Sequence, residues 1–209
     1  MLSLTSIIKK TFMALTGLAW FGFLVGHLTG NFLLFAGAEE FNAYAKFLES
    51  TGGLLYAAEI GLIVFLATHI YSGIRVSMEN RQARPRDYEV KTTNGQATVF
   101  SRSMLVGGVI LAVFIVTHVA TFKFGDHGGE DGLYGLVMRS FQNPLTVAWY
   151  VLSMMAVGMH LSHGLGSAFQ TLGVAKATWR ERLRTTGVVL GWLVAGGFMS
   201  LPIWAFVAG

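Results

Sequence analysis

The sequence predicts an all-α membrane protein with five transmembrane helices, and three observations carry that prediction. Of its 209 residues, 53% are hydrophobic and only 12% charged, where a soluble domain has about a quarter charged. Five apolar stretches each reach the ~20 residues that a bilayer requires. Twelve of the 15 Lys and Arg residues fall in alternate loops, the asymmetry expected of membrane topology. The net charge of +4 is therefore read as orientation in a membrane and not as affinity for nucleic acid. Cysteine is absent, which excludes disulfides, thiolate-held clusters and thioether-linked haem within this chain.

The first span is expected at roughly 11–35, a run too long for the h-region of a cleaved signal peptide. Behind it, residues 38–51 place Phe41, Tyr44, Ala45 and Leu48 on one face and Glu39, Glu40, Lys46 and Glu49 mostly elsewhere. This predicts a short amphipathic helix in the outer interface. The second and third spans are expected at roughly 54–78 and 103–124, joined by a polar inner loop over 79–98. Residues 133–142 suggest a second, weaker interfacial helix. The fourth and fifth spans are expected at roughly 144–169 and 185–207. Glycines recur inside the spans, where they admit a neighbouring helix or a flat ligand. No separate soluble domain is evident, so residues 1–209 are expected to form one domain.

Orientation follows from the loops. Lys9 and Lys10 precede the first span; Arg75, Arg81, Arg84, Arg86, Lys91 and Arg102 lie between the second and third. Lys176, Arg180, Arg182 and Arg184 lie between the fourth and fifth, leaving Lys46, Lys123 and Arg139 for the other side. The N-terminus is thus expected in the cytoplasm and the C-terminus outside.

Histidine is the residue type that points to chemistry. His27, His69 and His118 occupy the first three spans, and His160 and His163 the fourth; His127 falls in an acidic outer loop and is expected to be solvated. One intramembrane histidine is explained by a hydrogen bond to a neighbouring helix. One on each of four consecutive helices makes that explanation weak and a function the better reading. At 1.5 Å per residue, His27 and His118 both lie ~22–24 Å from the cytoplasmic edge, and His69 and His160 ~9–15 Å from it. Depth therefore pairs His27 with His118 and His69 with His160. Two facing imidazoles at one depth suit axial ligation of haem iron, and two such sites form a path for electrons across the membrane.

The spacing adds support, because 42 residues separate both His27 from His69 and His118 from His160. HIYSGI (69–74) aligns with HLSHGL (160–165), setting Gly73 and Gly164 four residues after each histidine on the same helical face. A missing side chain there leaves room for a porphyrin edge. His163 has Ser167 at that offset, so His160 is the preferred ligand; His163 is left for a propionate, a neighbouring helix or plain packing.

HLTGNF (27–32), HIYSGIR (69–75), THV (117–119) and HLSHGLGSAFQTLG (160–173), set in five spans, resemble the di-haem cytochrome b membrane-anchor subunit of succinate dehydrogenases and fumarate reductases. The resemblance covers nearly the whole chain. It implies two haem b groups, the distal one held from the first and third spans and the proximal one from the second and fourth. His27, His118, His69 and His160 match those places one by one. It also implies an FAD-containing flavoprotein and an iron–sulfur subunit on the cytoplasmic side, and a quinone, commonly menaquinone. Some members carry a glutamate just ahead of the fourth-span ligand; Val157, Gly158 and Met159 stand here, so a proton path through that position is not implied.

Glu59 is the one carboxylate expected well inside a span, either as a proton partner for quinone or as a wetted residue reaching the interface. Glu49, on the interfacial helix, is a second quinone candidate. Arg75 and Arg182 end spans on the inner side, where they can meet propionates or snorkel to lipid headgroups. Trp20, Trp149, Trp192 and Trp204 are read as packing or interface anchors. No catalytic residue is expected in this chain, because the carboxylate chemistry belongs to the flavoprotein and enzyme status to the complex. A prokaryotic cytoplasmic membrane is the expected setting, with further association of complexes left open. A hydrogenase- or formate-dehydrogenase-type cytochrome shares the positive loops and paired histidines but not HLSHGLGSAFQTLG. A proton or metal transporter would gather its histidines at one depth, not two.

Overall fold

The computed structural model describes residues 5–82, 103–129, 131–174 and 176–209. Helix α1 (Ser6–Asn31) continues as a 3-10 turn (Phe32–Ala36). It is followed by α2 (Ala38–Ser50), α3 (Gly53–Gln82), α4 (Met104–Phe122), α5 (Gly132–Ser140), α6 (Pro144–Thr171) and α7 (Arg180–Ala208). Five of these, α1, α3, α4, α6 and α7, are long and apolar enough to cross a membrane. Among the described residues the protein is all-helical, with five helices able to span a membrane, and α2 and α5 are the short helices that form where the amphipathic segments were expected. Of the inner loop expected over 79–98, residues 79–82 continue α3, while the rest, with Arg84, Arg86 and Lys91, and Arg102 beyond it lie outside the described residues.

Local chemistry sets the helix ends. Thr5 caps α1, its side chain accepting from Ile8 N–H. Asn143 caps α6, accepting from Leu145 N–H at 2.9 Å, with Pro144 in the first turn where its missing N–H costs nothing. Gly37 has φ 116°, a conformation that L side chains rarely adopt, at the corner where the chain turns from the first span into α2. The helices overrun the expected spans on the basic side: α3 continues to Gln82 and α7 begins at Arg180. Hydropathy marks only the lipid-immersed part of a helix, whereas its hydrogen-bond ladder continues into polar sequence.

Helix α6 is the hub. It packs on α1, α4 and most extensively α7, while α3 packs chiefly on α1 and barely touches α4. Small residues make the α6–α7 contact close: a Cβ on Gly158 would sit 3.0 Å from the Trp192 ring, and one on Gly191 would sit 3.0 Å from the Ser162 nitrogen. In a bilayer, where lipid is as apolar as Leu, such close approach supplies the attraction between helices. The core is a cluster running from Leu34 and Phe41 through Phe114, Phe141 and Tyr150 to Leu161 and Val194.

Polar ties mark the two ends of the bundle. At the basic end, buried Lys9 of α1 pairs with Glu79 of α3, and Arg75 lies 3.9 Å from the same carboxylate. At the other end, Asn42 of α2 donates to the Asp131 carbonyl at 2.8 Å and accepts from Tyr134 N–H at 3.0 Å, fixing α2 against α5. Tyr44 packs into the space left by Gly30 and seats α2 on α1.

Candidate functional site

The four helices α1, α3, α4 and α6 bring their histidines together two by two. His27 of α1 meets His118 of α4 with ring centroids 5.8 Å apart and planes at 87°. His69 of α3 meets His160 of α6 at 6.1 Å and 63°. The ring that faces His69 is that of His160; His163 lies one turn further along α6, half-buried. The two pairs occupy different levels. His69 lies against Met13 and Gly17 of α1, so His27 stands ten to fourteen residues, or ~15–21 Å, further along that helix.

Phenyl rings enclose the outer pair. Phe23 stacks on His27 at 5.2 Å and Phe114 on His118 at 5.5 Å, while Phe198 of α7 and Phe122 approach at 5.8 and 5.4 Å. Asn31, one turn beyond His27, donates to its carbonyl at 2.8 Å and lies 3.4 Å from both ring nitrogens. His118 Nδ1 is 3.3 Å from the Tyr150 hydroxyl. One residue earlier on each helix, Trp149 Nε1–H donates to the Thr117 hydroxyl at 3.2 Å.

The inner pair has a different surround. His69 Nδ1–H donates to the Met13 carbonyl at 3.0 Å, with the Thr16 hydroxyl 3.4 Å away. Gly17 lets the ring lie against α1, since a Cβ there would come within 3.0 Å of His69 Cε1. A Cβ on Gly164 would meet nothing within 4 Å, and one on Gly73 only the Met13 sulfur at 3.8 Å.

These residues fit haem as a donor set. Two imidazole nitrogens each ~2 Å from one metal put ring centroids roughly 6 Å apart, the separation of both pairs. His69, by donating through Nδ1, keeps Nε2 as its lone-pair nitrogen, the arrangement a metal-bound histidine needs. His160 Nδ1 is enclosed with no hydrogen-bond partner among the described residues, a cost of about 1–3 kcal/mol unless something else meets it. Among the described residues, no three or more His, Asp or Glu side chains gather as a metal-binding group. Paired nitrogens, not a cluster, are what this bundle offers.

The remaining candidates lie apart from the pairs. Glu59 forms an ion pair with Lys123 at the end of α4, and the Lys123 ammonium stands 6.0 Å from the Tyr56 ring centroid. Its side chain is 31% exposed, so its charge is both paired and wetted, a partner that the sequence did not indicate. Glu49 is exposed on α2 and Arg182 on α7; Arg75 stands beside Glu79. His127 is exposed and its Nε2–H donates to the Phe122 carbonyl at 2.8 Å. Sequence reasoning missed Tyr150, Asn31 and the Met13–Gly17 cradle. A tyrosine ten residues before His160 in an apolar helix was the available signal, because a buried phenol needs a partner.

No family model and no solved structure matches the chain. Over 192 residues, 88% of this chain and 89% of the relative, it is 28% identical to the succinate dehydrogenase cytochrome b558 subunit of Bacillus subtilis (strain 168). Along nearly its whole length, then, this multi-pass prokaryotic membrane protein is similar to a succinate dehydrogenase cytochrome b subunit, as its histidine motifs led one to expect.

Proposed function

We propose that the chain is the membrane-anchor cytochrome b subunit of a succinate:quinone oxidoreductase, one domain over residues 1–209 with its N-terminus in the cytoplasm. His27 and His118 would hold an outer haem b, and His69 and His160 an inner one. The pairing itself carries this reading: four imidazoles meet two by two, at 5.8 and 6.1 Å and at two levels of an apolar bundle. Haem iron, when bound, supplies reversible one-electron chemistry between an iron–sulfur partner and a quinone.

The chain's own residues bind, orient and exclude. The Met13 carbonyl holds His69 in one tautomer, and Phe23, Phe114, Phe122 and Phe198 keep water from the outer pair. The FAD-containing flavoprotein and the iron–sulfur subunit would dock on the basic end, where α7 starts with Arg180, Arg182 and Arg184. Menaquinone or another quinone would bind toward the opposite end, near Glu59 and the α2 helix. Membrane lipid covers the exposed apolar faces of α3 and α4, such as Ile63, Val64, Val109 and Val116.

The test is a reduced-minus-oxidised visible spectrum of the purified complex. Two b-type haems per chain are expected, one lost in His118→Ala and the other in His69→Ala. Absence of haem from the wild type, or loss of both from either variant with the fold intact, sinks the two-site reading.

A further inference from the structure

Of the four paired histidines, His118 is the one oriented by a side chain from the core of α6. Tyr150 is buried, 8% exposed, and its ring is locked between those of Phe141, Phe114 and Phe122, with centroids at 4.9, 5.0 and 6.0 Å. Three phenyl neighbours leave the phenol one orientation, and in that orientation its oxygen lies 3.3 Å from His118 Nδ1. The Trp149–Thr117 hydrogen bond, one residue earlier on each helix, fixes the register of α4 on α6 and so holds that approach in place.

We propose that Tyr150 is a positioning residue for the outer haem: its oxygen accepts from His118 Nδ1–H, leaves Nε2 for iron, and lowers that haem's midpoint potential. The proposal rests on the reading of His27 and His118 as the ligands of one haem. An imidazole bound to metal through Nε2 has only Nδ1–H left to offer, so it donates. An acceptor at that proton makes the ring a more basic ligand and favours ferric over ferrous iron, the second-shell lever on haem potential. Tyr150 thereby acts through His118 and not on iron. The corresponding acceptor for His69 is the Met13 backbone carbonyl, which no side-chain substitution deletes, so the effect of Tyr150 is confined to one haem.

The test is a potentiometric titration of the intact complex, with the outer haem defined as the one missing from His118→Ala. Tyr150→Phe removes one oxygen and should retain both haems while raising the outer potential alone. A tenfold change in the ferric-to-ferrous ratio at fixed potential corresponds to ~59 mV for a one-electron couple. Phe41→Leu, which loosens the same core away from Tyr150 and its three ring neighbours, should leave the potential in place. Should Tyr150→Phe fail to assemble, wild-type chain grown with 3-fluorotyrosine keeps the hydroxyl of all six tyrosines but weakens the phenol oxygen as acceptor, and the outer potential should again rise alone. An unchanged outer potential, equal shifts of both haems, or the same shift in Phe41→Leu overturns the proposal. A wild type without b-type bands overturns instead the haem reading beneath it.

Discussion

The imidazole of His69 lies across the spot where a side chain at Gly17 would begin, 3.0 Å from Cε1 to the missing Cβ. In an exposed helix, Gly to Ala is stabilising by about 0.5–1 kcal/mol. Here the new methyl pushes the ring off α1 and away from the Met13 carbonyl. Gly17→Val should therefore abolish the inner haem while the outer haem persists, and Gly17→Ala should keep both but alter the inner low-spin signal in electron paramagnetic resonance. An undisturbed inner signal in Gly17→Val would show that His69 is not held against α1.

The α6–α7 seam makes a prediction about stability. A Cβ on Gly191 would meet the Ser162 nitrogen at 3.0 Å and the Gly158 carbonyl at 3.1 Å, all backbone that cannot swing aside. Gly191→Leu should force the helices apart and cost roughly 1–3 kcal/mol, the usual range for overpacking. Gly196→Ala, where nothing lies within 4 Å, is the control. Thermal unfolding in detergent should show a lowered midpoint for the first and not the second.

Much of this was legible in the sequence because the membrane restricts the possibilities. A spanning segment must satisfy its own backbone, so the five apolar runs became helices with only their polar ends misjudged. Depth along a helix is linear in residue number, which is why His27 came to face His118 and His69 to face His160. What depth leaves open is rotation and cross-helix partners. Glu59 was expected as a lone carboxylate, yet Lys123, 64 residues away in sequence, reaches it; nothing local in either segment encodes that meeting. Tyr150 was passed over for the same reason: its importance comes from α4, a helix that precedes it by a loop and α5.

The Glu59–Lys123 pair predicts a separation of stability from turnover. An ion pair this exposed contributes only about 0.2–1 kcal/mol, so Glu59→Gln should fold normally and keep both haem spectra. Quinone-coupled turnover should fall if Glu59 serves a quinone on the outer side, while succinate oxidation with a soluble acceptor stays at the wild-type rate. Unchanged quinone turnover would move the quinone site toward the basic end.

The docking face is open to a direct check. With the soluble subunits bound, the segment before α4 and the start of α7 should be shielded from protease in inverted vesicles. Stripping those subunits should expose Arg180, Arg182 and Arg184 to trypsin. Equal cleavage in both preparations removes this face from the interface.

His160 and His163 give the sharpest contrast. Successive residues on α6 rotate by ~100°, so His163 points ~60° away from His160 and one turn nearer the basic end. On depth alone either imidazole competes for the inner iron. Geometry separates them, because the ring within 6.1 Å of His69 is that of His160. Gly164 also leaves open space on the face of α6 one turn beyond His160. His160→Ala should then lose the inner haem or leave it five-coordinate and high-spin, with the outer haem on His27 and His118 untouched. His163→Ala should retain two six-coordinate low-spin haems, with at most a shifted inner potential. The reverse outcome in the electron paramagnetic resonance of the two variants would transfer the ligand role to His163 and require α6 to turn by about 60° against α3.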